Sequence, residues 1–205
     1  MPKEGLPVLR LSLLWIGWCV LHSLLITAKA NDWVQRRGGA VRGLSRIVYN
    51  LCAVVTLVPV LWYQSSLPSQ TVFAWAGPWR LAQAVLLAYA LAMFEAGKRS
   101  YEMGHFHGTR QWREYRDGRQ SGDLPFRTTG ALRWVRHPWY SGGLAVVWSA
   151  GPVTDVNLVP RIILSLYFVV GTWLEEQKLL ASIGQPYADY RRQVPMLLPW
   201  KGRRA

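Results

Sequence analysis

Residues 44–63 read LSRIVYNLCAVVTLVPVLWY, and beyond Arg46 the stretch carries no charged side chain. A helix of that length rises about 30 Å, the thickness of a bilayer's hydrocarbon core. Working outward, four more apolar runs appear, at about 6–28, 79–96, 139–154 and 158–174. The last two are shorter and are interrupted by Gly151, Pro152 and Pro160, the pattern of a tight helical hairpin. Trp15, Trp18, Trp62, Trp75, Trp79, Trp134, Trp139 and Trp148 mostly lie near the ends of runs, where interfacial aromatics collect. The chain has 205 residues, is 51% hydrophobic and carries twelve Trp, a composition that points to lipid contact. Neither internal repeats nor a second soluble domain is visible. Residues 1–205 therefore read as one all-α domain, an integral membrane bundle of about five transmembrane helices. A cytoplasmic interfacial cap over 97–137 and C-terminal amphipathic helices within 175–205 complete it.

The net charge is +13, and its distribution decides what it means. Twenty of the twenty-four Lys and Arg fall in three segments: 29–46, 98–136 and 178–204. These alternate with the nearly uncharged loop 64–78 and the short connection 151–157. A nucleic-acid-binding domain does not segregate its charge between apolar runs in this way, so no nucleic-acid partner is expected. The bias toward one side instead puts the N-terminus outside and the C-terminus in the cytoplasm. Cys19 and Cys52 lie within predicted spans without metal-ligand spacing and read as small buried apolar residues. His22, Ser23 and Asn50 lie in spans too, where hydrogen bonding between helices is the default role.

The longest polar stretch, 97–135, is scattered with Phe106, Trp112, Tyr115, Phe126 and Trp134, which argues for a folded cap with short helices. It leads into Arg136-His137-Pro138-Trp139-Tyr140-Ser141-Gly142. Pro138 lacks an N–H and suits the first turn of a helix, so the fourth run starts here with its N-terminal N–H groups favouring an anion. Glu175-Glu176 follow the fifth run. Two acids at a helix C-terminus oppose the macrodipole and need a partner, either Arg191 or Lys178 or a bound ligand with cationic or hydroxyl groups. Charged groups at the edge of a membrane segment mark a working site. His105-x-His107 has a weak metal-ligand spacing, and no metal is expected.

The pattern Arg136-His137-Pro138-x-Tyr140-x-Gly142, then Glu175-Glu176, then Gly184 through Tyr187 and Tyr190 to Val194-Pro195, resembles the isoprenylcysteine carboxyl methyltransferase superfamily of membrane methyltransferases. His22-Ser23, Tyr49-Asn50, residues 106–111 and residues 194–199 are similar to its bacterial methanethiol S-methyltransferase branch. The resemblance implies S-adenosylmethionine as cofactor, held by Arg136, His137, Pro138, Tyr140, Gly142, Glu175, Glu176, Tyr187 and Tyr190 on the cytoplasmic face of a bacterial inner membrane. It further implies a small or lipophilic thiol as acceptor. A thiol reacts as thiolate, and a nearby positive charge lowers its pKa. Arg110, His105 and His107 are the catalytic candidates, with Arg136 as a further cation. The alternatives are carboxyl O-methylation of an isoprenylcysteine-like substrate, lipid methylation, and a non-catalytic NnrU-like membrane protein.

Overall fold

The computed structural model describes residues 5–119 and 125–200; residues 1–4 and 120–124, and the last five of the expected C-terminal segment, lie outside the described residues. In chain order the elements are α1 (Gly5–Leu25), α2 (Ala28–Arg37), α3 (Gly39–Ser66), β1 (Thr71–Phe73), α4 (Trp79–Ser100), α5 (Met103–His107), α6 (Thr109–Arg116), a 3-10 turn (Gly130–Arg133), α7 (Pro138–Ser149), β2 (Val153–Thr154), α8 (Asp155–Ile183) and α9 (Gln185–Gln193). The all-α architecture holds. α1, α3, α4 and α8 are each long and apolar enough to cross a bilayer, and the chain is an integral membrane protein. Two compact units form, Met1–Pro68 with Glu102–Leu124, and Ser69–Tyr101 with Pro125–Ala205.

In the first unit α1 buries Leu11, Trp15 and Cys19, one face at helical spacing, and leaves most of its other apolar side chains exposed for lipid. It is pinned to α3 by polar contacts at three levels. Trp15 Nε1 donates to Gln64 Oε1 (3.0 Å), Trp18 Nε1 to Ala53 O (3.1 Å), and Tyr49 Oη meets His22 Nε2 at 2.5 Å. α5 and α6 fold back on α3. Gly43 lets this happen, because a Cβ there would stand 2.8 Å from the Tyr115 Cβ. Gly108, at φ +88, turns the chain between α5 and α6 in a left-handed conformation that other residues rarely adopt. Arg46 Nε and Asn50 Nδ2 both donate to Phe106 O, at 3.2 and 3.3 Å.

The second unit is built on α4, α7 and α8. α7 runs antiparallel to α4. Trp139 Nε1 donates to Phe94 O (3.1 Å) at one end, Tyr89 Oη meets Ser141 Oγ at 2.5 Å, and Gln83 Nε2 donates to Ser149 O (2.8 Å) at the other. α8 then runs antiparallel to α7, with Trp148 Nε1 on Ser165 Oγ (2.9 Å), Tyr140 beside Phe168, and His137 level with Glu176. β1 and β2 pair antiparallel at the end opposite His137.

Sequence reasoning placed a fifth span at 139–154; the segment runs from the Glu176 end of the second unit to the β1–β2 end, but the helix within it is shorter than expected. α7 has twelve residues, about 18 Å of rise, short of the roughly 30 Å needed. Gly151, at φ +76, and Pro152 end the helix, and the chain continues extended into β2. α8 is correspondingly longer than expected. It begins at Asp155 under a capping box, in which Thr154 Oγ1 accepts from Asn157 N and Asn157 Oδ1 from Thr154 N (3.1 and 2.9 Å). Pro160 removes one backbone bond in the second turn without stopping it, and the helix runs past 174 to Ile183.

Buried Arg161, which carries a charge inside a membrane helix, joins the two elements. Its Nη1 donates to Trp148 O (2.7 Å), its Nη2 reaches the carbonyls of Ala150 and Pro152 (3.2 and 3.0 Å), and its Nε donates to Asn157 Oδ1 (3.1 Å). The guanidinium thus closes the carbonyl end of α7, where the helix dipole is negative.

Candidate active site

Each polar side chain at the α7 start is positioned by a local rule. Pro138 occupies the first turn, and His137 just before it is extended enough (φ −128) to hydrogen-bond sideways. The sideways partner is the segment after α9. Val194 precedes Pro195 and is held extended (φ −111, ψ 132), so 194–196 runs alongside 136–137. Arg136 N donates to Pro195 O (2.9 Å) and His137 N to Met196 O (3.2 Å).

Over this backbone frame lies a buried ion cluster. Arg136 Nε donates to Glu176 Oε1 at 2.6 Å, with the two side chains only 8% and 4% exposed. Arg136 Nη1 donates to Arg191 O (2.8 Å) and to Val194 O. His137 Nε2 stands 3.3 Å from the same Glu176 oxygen, and Arg191 Nη1 stands 4.0 Å from the other. Glu176 is therefore enclosed by two guanidinium groups and an imidazole. Glu175 differs. Its side chain is 46% exposed, and His137 Nδ1 stands 3.9 Å from its Oε2.

α9 supplies the aromatic wall. Tyr187 and Tyr190 pack on Leu132 and Val194, with Phe126 edge-on to both rings at 5.8 and 5.6 Å. Tyr190 Oη donates to Leu132 O (2.6 Å). Tyr187 is 2% exposed, yet its hydroxyl has no hydrogen-bond partner among the described residues. A buried hydroxyl left unpaired costs roughly 1–3 kcal/mol, so an orphan here points to a ligand group. Burial pushes the phenols of Tyr101, Tyr187 and Tyr190 well above their ordinary pKa, and carboxylates or neighbouring phenols push further; Glu175 acts on Tyr101 and Glu176 on Tyr187. All three stay neutral at physiological pH.

The methanethiol S-methyltransferase of Mycobacterium tuberculosis is 30% identical to this chain over 207 residues, covering 96% of the chain and 79% of that protein. The chain belongs to the methanethiol S-methyltransferase family. A second relative of that name, from Crocosphaera subtropica, is 28% identical over 187 residues, covering 90% of the chain and 71% of the relative. The protein-S-isoprenylcysteine O-methyltransferase of Tribolium castaneum is 33% identical over 88 residues, 40% of the chain and 30% of that protein. No family-wide profile matches the chain, and no solved structure matches it. With these relatives, the chain is a membrane methyltransferase that uses a methyl donor.

For this member of the family, the residues expected around the cofactor fall into three groups. Arg136, His137, Glu175, Glu176, Tyr187 and Tyr190 come together at one end of the second unit. Tyr140 joins them through its ring, 5.9 Å from His137. Pro138 and Gly142 act on the backbone, because a Cβ at Gly142 would press on Ala90 O at 3.1 Å and part α7 from α4.

The expected catalytic residues His105, His107 and Arg110 belong to the first unit. There Arg110 donates to Glu102 Oε2 (2.5 Å) and Glu114 Oε1 (2.6 Å), so its charge is neutralised twice. His105 Nδ1 meets Gln111 Nε2 at 3.2 Å, and partial burial followed by the charges of Arg46 and Arg110 lowers its pKa. His107 is exposed at the end of α5.

Sequence reasoning missed Tyr101, Phe126 and the backbone of 194–196 as parts of the site. Phe126 had been singled out only as evidence of order in the cap, and Tyr101 had not been singled out at all. An extended segment that contributes carbonyls leaves no side-chain signature.

Proposed function

We propose that this protein is an S-adenosylmethionine-dependent methyltransferase acting on a small or lipophilic thiol at the cytoplasmic face of a bacterial inner membrane. The observation that carries the donor site is that one cluster holds a half-exposed Glu175 and a buried Tyr187 hydroxyl without a partner among the described residues, while Arg136 and Glu176 are already paired. Glu175 suits the ribose hydroxyls or the amino group of the donor. The Tyr187 hydroxyl offers a neutral hydrogen bond, and the rings of Tyr140, Tyr187 and Tyr190 suit a flat base or a sulfonium. The first-turn N–H groups of α7 suit the carboxylate. Arg136 and Glu176 act behind these groups, fixing α8, α9 and the 194–196 segment to the start of α7.

When bound, the donor supplies a methyl group already activated on a positively charged sulfur. The chain's remaining tasks are to orient the acceptor and to exclude water. The tyrosine wall serves exclusion, since its phenols remain protonated. The thiol acceptor rests on the relatives' names and on a site placed at the end of membrane helices, where a lipophilic nucleophile has access. The isoprenylcysteine-type relative favours a carboxylate as the second reading.

Purified protein incubated with methyl-labelled S-adenosylmethionine and a panel of methanethiol, longer alkanethiols, a farnesylcysteine and a phospholipid separates these. Label is expected in thioethers. Label only in an ester selects the second reading, and label in no acceptor overturns the enzymatic proposal.

A further inference from the structure

Outside the cluster just described, the second unit holds a cavity of about 380 Å³. It lies between the last nine residues of α4 and the segment leading into the 3-10 turn. Such a volume falls in the range of small-molecule sites, roughly 300–1,000 Å³. Its lining combines the small apolar Ala92, Ala96 and Ala131 with Arg99, Arg127 and Thr129. Gly130 brings the turn against α4, since a Cβ there would stand 3.1 Å from Ser100 Oγ.

The charges of the lining do not cancel. Glu95 lines the cavity but is held by Arg99 Nε (2.9 Å) and Lys98 Nζ (3.8 Å). Arg127 has no carboxylate partner among the described residues and is exposed. Two guanidinium groups and a threonine hydroxyl are donors of the kind that bind phosphate oxygens. Ala92 and Ala96 belong to a helix long and apolar enough to cross a membrane, at the end where Glu95, Lys98 and Arg99 cluster. Cationic and small apolar side chains lining one cavity match a phosphate ester with hydrocarbon attached.

We propose that this cavity binds the phosphate of a membrane phospholipid, Arg127 and Arg99 holding the oxygens while the glycerol and first methylenes rest on Ala92 and Ala96. The site is independent of the methyl-transfer reading, because none of its residues belongs to the donor cluster. Occupied, it ties the 125–131 segment to the end of α4 through the lipid. Juxtamembrane cations interact with anionic lipid at about fivefold in affinity per charge.

The test uses full-length, delipidated protein in detergent, titrated with dioleoylphosphatidylglycerol and read by native mass spectrometry. One lipid is expected to be retained ahead of the rest. Arg127→Gln and Arg99→Gln each weaken it about fivefold, Arg127→Lys retains most of the affinity, and Ala96→Leu displaces the lipid without changing charge. Inorganic phosphate at millimolar concentration distinguishes the source of the phosphate. Failure to compete assigns the site to the lipid, and competition assigns the same donors to free phosphate and overturns the lipid assignment. Arg119→Gln, which breaks an exposed pair with Asp117 elsewhere (2.6 Å), leaves the affinity unchanged. If it weakens binding as much as Arg127→Gln does, or if no lipid is preferentially retained, the cavity is not a specific site.

Discussion

Adjacent glutamates at 175 and 176 have opposite surroundings, and their substitution should separate architecture from ligand binding. Glu176→Gln leaves Arg136 buried without its counter-charge, and breaking a buried pair typically costs about 3–5 kcal/mol. Thermal unfolding in detergent should show that loss. Glu175→Gln removes a half-exposed charge and should leave the unfolding temperature nearly unchanged, while calorimetry shows S-adenosylmethionine affinity down more than tenfold. If both variants unfold alike and bind alike, the division of labour fails. Tyr187→Phe is sharper still. It deletes a buried hydroxyl with no partner among the described residues, so the free protein should lose no stability and gain up to about 1 kcal/mol, while donor affinity falls. Unchanged affinity would remove Tyr187 from the site. The same phenols set an alkaline limit. Tyr101, Tyr187 and Tyr190 hold their protons more tightly in the folded protein than in the unfolded chain. The stability this contributes is complete below the ordinary tyrosine pKa of about 10 and is lost as pH rises beyond it. Absorbance titration should show these phenolates forming late, together with unfolding.

At the scale of elements, the site depends on how closely α7 approaches α4, and Gly97 sets that distance. A Cβ there would stand 2.3 Å from the Trp139 ring, which also donates to Phe94 O. Gly97→Ala is therefore expected to cost about 1–3 kcal/mol through overpacking. It should weaken donor binding as well, because Trp139 sits in the first turn of α7 beside His137; a loss of stability alone, with donor affinity intact, would show that the start of α7 tolerates the shift. The sequence made most of this arrangement legible. Long uncharged runs identified α1, α3 and α4, and Pro138 marked the start of α7, because apolar length and a missing N–H act locally. It was silent where distant groups decide. Gly151 and Pro152 marked the break after α7 locally, but the apolar run at 139–154 could not reveal that Arg161, on another helix, gathers the carbonyls of Trp148, Ala150 and Pro152 there. Nor could the motif say whether Arg136 faces a ligand or Glu176. Both acids carried the same expectation, and packing alone separates them.

For the whole molecule, the open quantity is direction across the bilayer, and the distribution of charge argues it. Lys and Arg crowd the segment between the first two apolar runs, the stretch 98–136 and the C-terminal tail, whereas 64–78 carries none. Basic segments flanking spans remain on the cytoplasmic side, so we propose that the end of α8 carrying Glu175 lies there, within reach of a polar cytoplasmic donor. A fluorescent protein fused at the C-terminus should therefore fluoresce in bacterial cells, and alkaline phosphatase at the same point should be inactive. Alkaline phosphatase fused at Ser69, in the uncharged loop, should be active. Reversal of all three signals would place Glu175 and Tyr187 on the far side of the membrane from the donor. The proposed use of cytoplasmic S-adenosylmethionine would then be untenable, whatever the affinity measured in detergent.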